Sequence, residues 1–301
     1  MTRTRKITAR KRGNSLGFWF FRVALRAGGL RAAYGLLYFV CIHYLLFDRS
    51  AVRGALAYVQ RRFPEAGKAG RLLHVYRLFV SQGKQLIDRH AAMSGAVPFS
   101  FELRGAEQIQ EGLARGKRGL ILLTAHVGNW QIAMTTLRNM GRTVNLVMRP
   151  EDNPAVTKAL SLCRNTEHLR VISPEEDLGG AIEIMSALRR GDIVSFMGDR
   201  PFEFKAVRVD FLGGSAMFPC GPFQIAATAG CPLQILLSAR EGYRRYSVDF
   251  RRLLSPASSE DVSQDELVRQ WAQAFADVLS EFVMEHPYQC FLFTDVWRPD
   301  A

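Results

Sequence analysis

No acidic residue occurs among the first 47 positions of this 301-residue chain; the first is Asp48. Arg3, Arg5, Lys6, Arg10, Lys11 and Arg12 therefore stand uncompensated at the N-terminus, within a chain of formal net charge +12. Such an excess calls for a polyanionic partner or surface, nucleic acid or anionic lipid. Cysteine is scarce and odd in number, at 41, 163, 220, 231 and 290, with no CxxC pair. That excludes a cysteine-built metal site or a paired disulfide framework, and reads as reduced, mostly buried thiols in a cytosol-facing protein. His43, His74, His90 and His168 show no metal-ligand spacing, so no metal site is expected. No internal repeat and no low-complexity segment beyond the basic arm are present, which excludes a solenoid.

An unbroken membrane-length apolar run is also missing. After the cluster Phe18, Trp19, Phe20, Phe21, an apolar stretch from Leu30 to Phe47 is interrupted by Arg31 and His43. Its cleaner part, Ala32–Phe47, is 16 residues, roughly 24 Å as a helix, against the ~20 residues a hydrocarbon core needs. The segment is marginal as a span and well suited to lie in or dip into a membrane face. Tyr34 and Tyr38 join the aromatic cluster as an interfacial belt beside the basic arm, which suits anionic lipid. No small-x-small site follows, so a cleaved signal peptide is not expected. The cations ahead of the segment place that end on the cytoplasmic side. The alternative is a solvated tail before a buried core helix.

What is present is a full-sized core, since 48% of residues are hydrophobic. Residues 48 to about 95 read as helices, with apolar three-to-four spacing over Ala51–Val59 and Leu72–Val80, broken at Pro64 and Ala66–Gly70. The texture then changes. Strands are expected at Phe99–Leu103, Gly119–Ala125, Thr143–Met148, Leu169–Ile172, Ile193–Met197, Leu233–Ala239 and Tyr246–Phe250. Helices are expected at Ala106–Arg115, Asn129–Met140, Ala155–Arg164, Gly180–Arg190, Phe223–Ala229 and Gln264–Glu285. This alternation predicts an α/β fold with a mainly parallel sheet flanked by helices. The expected organisation is a disordered basic arm over 1–16, a membrane-associated helical region over 17–95, and an α/β domain over 96–301.

His126-Val-Gly-Asn-Trp-Gln131 follows the continuous apolar strand, where an open α/β sheet presents its site. His126 is the candidate general base, with the structural alternative that it merely packs. Asn129 is placed to cap the next helix, and the Gln131 amide to reach the imidazole. Gly198-Asp199-Arg200-Pro201 closes another strand on the same edge: either a turn pair or, through Arg200, a clamp for a phosphate or carboxylate. Phe211–Pro222 reads as a tight glycine- and proline-rich loop before a helix whose N–H groups could hold an anion. Arg149-Pro-Glu-Asp152 is a further strand end, with a solvated turn as the bland reading. His286 is expected to cap or pack near the C-terminus.

Taken in order, His126-x4-Gln131, Gly-Asp199-Arg200, Phe218-Pro-Cys-Gly-Pro222 and Cys231-Pro-Leu-Gln-Ile-Leu236 resemble the four blocks of the glycerolipid acyltransferase superfamily. The likeness is nearer to the bacterial lipid A biosynthesis (lauroyl/myristoyl) acyltransferase family. That family has a basic N-terminus with an apolar helix, a His-x-Gly-Asn-Trp-Glu-like motif and a terminal His-Pro-x-Gln-Trp segment, here Glu285-His-Pro-Tyr-Gln-Cys290. The resemblance covers about residues 15–298. It implies transfer of an acyl group from an acyl carrier protein or coenzyme A thioester to a hydroxyl of a membrane glycolipid or lysolipid. It implies no cofactor, and a place at the cytoplasmic face of the inner membrane. His126 and Gln131 become the expected catalytic pair, and Asn129, Arg149, Asp199, Arg200, Phe218 and Gly221 the expected substrate contacts.

The chain departs from the pattern twice. Gln131 stands where the motif has an acid, and Cys220 where the third block has glutamate, which weakens an anion-binding role there. Either another carboxylate supports His126, with Asp199, Glu151 and Asp152 as candidates, or the amide suffices, or the enzyme is degenerate and the chain is a lipid-binding protein on the same fold. Nucleic acid has only the charge in its favour, with no recognisable binding module, and is not expected as a partner.

Overall fold

The computed structural model describes residues 15–107, 109, 118–137, 141–148, 169–174, 180–200, 205–256 and 262–298. Three helices come first: α1 (Ser15–Phe47), α2 (Arg49–Arg62), capped by Asp48 accepting the Ala51 N–H at 2.9 Å, and α3 (Lys68–Met93). α1 bends at a glycine pair, where Gly28 has φ −135° and Gly29 φ 64°, ψ −162°. Only glycine adopts the latter without strain. Beyond the bend Leu30, Ala33, Tyr34, Leu37 and Cys41 form a buried stripe at helical spacing, packed along α3. The opposite face leaves Phe39 and Phe47 73% and 72% exposed, beside Tyr38, Ile42 and Leu46. One helix, Trp19–Phe47, is long and apolar enough to cross a membrane by length and composition.

The sheet region continues with β1 (Ser100–Arg104), β2 (Leu120–Thr124), α4 (Trp130–Thr136), β3 (Val144–Val147), β4 (Leu169–Ile172), α5 (Ala181–Arg190) and β5 (Ile193–Met197). Then come β6 (Ala206–Phe211), β7 (Gly214–Pro219), α6 (Gly221–Ala229), β8 (Leu233–Gly242), β9 (Arg245–Leu254) and α7 (Gln264–Glu285). Seven strands form one sheet in the order β1-β9-β8-β2-β5-β3-β4. β8, β2, β5, β3 and β4 run parallel; β9 turns back antiparallel to β8 and β1 lies parallel to β9. β2, with all five residues buried, sits at the centre, as its unbroken apolar run required. Its C-terminal end, that of β5, and that of β8 open on one edge.

The α/β, mainly parallel architecture expected from the alternation is the one observed. The expected loop Phe211–Pro222 is different: Gly214–Pro219 is β7, paired antiparallel with β6, and the turn is Leu212–Gly213. Glycine and proline there mark a hairpin's ends rather than one long connection. α4 is shorter than expected, with Leu137 closing it. The arm 1–14, the helix Ala155–Arg164 and most of Ala106–Arg115 lie outside the described residues.

The helical and sheet regions are joined by a buried charge. Asp88 on α3 is wholly buried and accepts hydrogen bonds from the Tyr34 hydroxyl of α1, from Tyr246 Oη of β9 at 2.6 Å and from Arg240 Nε of β8 at 3.0 Å. A buried carboxylate is tolerated because three donors replace its water. Removing one member strands the others, so Asp88→Ala should lower the stability of the detergent-solubilised protein by about 3–5 kcal/mol in guanidinium unfolding.

Candidate active site

His126 leaves the C-terminal end of β2 two residues after Thr124, and Asp199 leaves the end of β5 two residues after Met197. Thr124 and Met197 are paired in register in this parallel ladder, so the two residues meet at the same height. Asp199 is completely buried and spends both carboxylate oxygens on residue 126: Oδ2 accepts the backbone N–H at 2.9 Å, and Oδ1 lies 2.9 Å from Nδ1. One contact fixes the backbone and the other fixes the ring. The imidazole remains 23% exposed, and among the described residues its Nε2 has no hydrogen-bond partner. With Nδ1–H donating to Asp199 Oδ1, Nε2 carries the outward-facing lone pair, the tautomer a general base needs.

The carboxyl is held in its charged form. Burial alone would raise its pKa, but the charge and hydrogen bonds of His126, aided by Arg200, bring it below the ordinary carboxylate value. Arg200 lies beside it, mostly buried, its own pKa lowered by desolvation against the pull of Asp199. Its guanidinium donates to the Phe291 carbonyl.

The segment carrying Phe291 completes the site. After α7, where the cap residue His286 packs tilted against Phe282 with ring centroids 4.9 Å apart, residues 287–297 run back over the edge that carries His126 as a strap. The Phe291 N–H donates to His126 O at 2.8 Å, the Gly128 N–H donates to Gln289 O at 2.9 Å, and Val127 and Cys290 form an antiparallel bridge. Residues 126–128 are thus held like a short strand against the strap. Gly128 has φ 51°, and a Cβ there would lie 1.6 Å from Ser238 O, so the loop sits directly on β8 and tolerates no side chain. The Cys290 thiol is fully buried, its pKa pushed far up by desolvation and by Asp199, so it stays protonated.

Several expected site residues are placed differently. Gln131, half-buried on the first turn of α4, makes no hydrogen bond to His126; the described partner of the ring is Asp199, because the β2–β5 register delivers a carboxylate there. Asn129 occupies the cap position without capping: its side chain donates to Gln85 O at 2.8 Å and its N–H to Ser238 Oγ at 3.0 Å. It is buried, holding the loop rather than facing a substrate. Phe218 lies in the core between Phe211 and Phe275, ring centroids 5.5 and 5.8 Å away, and is no surface contact. Arg200 donates through Nη2 to the Phe291 carbonyl of the strap, while its Nε is buried without a hydrogen-bond partner among the described residues. Gly221 opens α6 with empty space where a Cβ would project. Arg149, with Glu151 and Asp152, lies outside the described residues. Sequence reading missed Gln85 and Asp88, whose only signal is polar groups on an otherwise apolar helix face, and it placed Gln289 in the His-Pro-x-Gln-Trp-like segment without giving it a role.

Asp199→Asn should lower turnover by about 100-fold or more, because an amide serving the residue 126 N–H with its oxygen presents N–H to Nδ1 and forces the wrong tautomer. Gln131→Glu should leave turnover within about threefold, since the ring already has its carboxylate. The depressed native pKa of Asp199 also fixes a sign. Its stabilising contribution is complete above about pH 3.9 and is lost as pH falls through the native value, a loss that acid titration of unfolding should show in wild type and not in Asp199→Asn.

The profile of the bacterial lipid A biosynthesis acyltransferase family matches residues 89–299. Among solved structures, the 1-acyl-sn-glycerophosphate (LPA) acyltransferase PlsC from Thermotoga maritima superposes with a TM-score of 0.40 at 13% identity, over 83% of this chain and 94% of that one. No curated protein sequence matches significantly. The matched span takes in the whole sheet, the His126 loop and the strap, and the chain accordingly belongs to the bacterial lipid A biosynthesis acyltransferase family: it is an acyltransferase that acts on lipid.

Proposed function

We propose that this protein moves a fatty acyl group from an acyl carrier protein or coenzyme A thioester to a hydroxyl of a membrane glycolipid or lysolipid, a lipid A-type glycolipid in particular. The observation that carries the reading is the His126–Asp199 pair, with Nδ1 2.9 Å from the carboxylate and the other ring nitrogen open. The acceptor hydroxyl gives its proton to Nε2 as its oxygen bonds to the thioester carbonyl carbon. The carbon–sulfur bond then breaks, and the imidazolium returns the proton to the departing thiolate. Asp199 stabilises that imidazolium while it lasts, the part assigned from sequence to position 131. A thioester is already activated, so the reaction calls for no cofactor and no covalent enzyme intermediate.

The membrane part of the proposal rests on α1. One face is docked on α3 and the other presents Phe39, Leu46 and Phe47 to the outside. A helix docked beyond its bend on a partner bearing Arg77, Lys84 and Arg89 is suited to lie in the plane of a membrane face rather than to cross it. The basic arm would bind anionic headgroups at the cytoplasmic face of the inner membrane. Arg149 and Gly221 are retained as candidate acceptor contacts.

His126→Ala should reduce thioester-dependent acylation of a lipid hydroxyl by at least about 100-fold while the variant still floats with anionic vesicles. Retained transfer would remove His126 as the base. Phe39→Asp with Phe47→Asp should release the protein from those vesicles and leave its unfolding midpoint within a few degrees of wild type, because both side chains are mostly exposed.

A further inference from the structure

β2 stops at Thr124 and pairs with β8 only as far as Ile235. Farther along β8, the backbone of Arg240 has lost its neighbour on that side. Its N–H and C=O are taken instead by one side chain: Gln289 Oε1 accepts the Arg240 N–H at 2.7 Å, and Gln289 Nε2 donates to the Arg240 carbonyl at 3.0 Å. The carboxamide replaces the missing strand, since a primary amide carries the same donor and acceptor as a peptide group. Oε1 accepts a further bond, from Gln85 Nε2 of α3 at 3.0 Å. The backbone of this same residue receives the Gly128 N–H, and its two successors hold Val127 and His126.

We propose that Gln289 is a positioning residue for the acyl transfer: its carboxamide docks the strap on β8 and α3, and the strap's backbone thereby sets the height and orientation of His126 over Asp199. Arg240 makes the foundation firm, because Asp88, one turn from Gln85 on α3, grips its side chain while Gln289 grips its backbone. The site calls for a donor and an acceptor on one group. A carboxylate has no donor for the Arg240 carbonyl, and an aliphatic side chain leaves that carbonyl, the Arg240 N–H and the Gln85 amide buried and unsatisfied. Gln289 touches neither substrate nor reacting atoms, and acts only through residues 126–128. The inference rests on the reading of His126 as the general base.

The test is steady-state acylation by the full-length protein in anionic vesicles, with Gln289→Leu, Gln289→Glu and the milder Gln85→Leu, each first checked for vesicle binding and a cooperative unfolding transition. Gln289→Leu should lower kcat about 100-fold, with KM for donor and acceptor held within about twofold. Gln289→Glu should follow it, and Gln85→Leu should fall in the same sense by about tenfold, carrying the test alone if the Gln289 variants do not fold. Placed in Asp199→Asn, Gln289→Leu should cost less than about threefold more, because both changes disable one unit. Wild-type kcat in folded Gln289→Leu and Gln85→Leu, a loss confined to KM, or fully additive losses would overturn the positioning role. Full activity of His126→Ala would overturn the reading beneath it instead, whatever Gln289 did.

Discussion

Everything around the site depends on one carboxylate with both oxygens committed to one residue. Asp199 reaches His126 because β2 and β5 are parallel neighbours in register, so that chain leaving their ends arrives at one level. A one-residue slip of either strand would turn every side chain to the opposite face and separate the pair. Burial makes the arrangement demanding: a desolvated anion is costly unless its lone pairs are filled, and here a backbone N–H and a ring nitrogen fill them. The same desolvation strengthens the hold on the imidazole, since little water competes for either partner.

The polar groups beneath the loop form two levels. The lower is the Asp88 cluster, joining α1, α3, β8 and β9 through Tyr34, Arg240 and Tyr246. The upper comprises the amides of Gln85, Asn129 and Gln289, which join α3, the His126 loop and the strap. Arg240 belongs to both. The helix whose free face is apolar is therefore connected to the His126 loop through hydrogen-bonded side chains in a few steps, and helix, loop and strap share one hydrogen-bonded network.

Much of this was legible in the sequence, for identifiable reasons. Continuous apolar runs such as Leu120–Thr124 and Ile193–Met197 announce buried parallel strands, and the bounds of α7 follow from Ser263 capping it and from its apolar period. His126, Asp199 and Arg200 are conspicuous because each follows such a run. The partnership between His126 and Asp199 was not fixed by sequence spacing: 73 residues separate them, and only the strand order makes them neighbours. Gln131, five residues along, was favoured by proximity in the chain, yet the first turn of α4 carries it away from Nδ1. The β6–β7 hairpin was missed because Gly213, Gly214 and Pro219 look alike at a hairpin's ends and in a loop. Gln289 stood in the His-Pro-x-Gln-Trp-like segment, but neither its contact nor that of Gln85 could be read there, because an amide matched to a strand's open edge has no local pattern.

The strap also sets the order in which the protein becomes an enzyme. Its bonds span almost the whole chain: Tyr58 Oη to Pro287 O crosses 229 residues, and Gln85 to Gln289 crosses 204. Closures of that length are entropically late in folding, and during synthesis they must wait until every strand has left the ribosome. α1, α2 and α3 precede every described strand in the chain. A copy that ends short of residue 287 keeps every described strand and lacks the backbone contacts that hold residues 126–128, so it is a sheet without a fixed histidine.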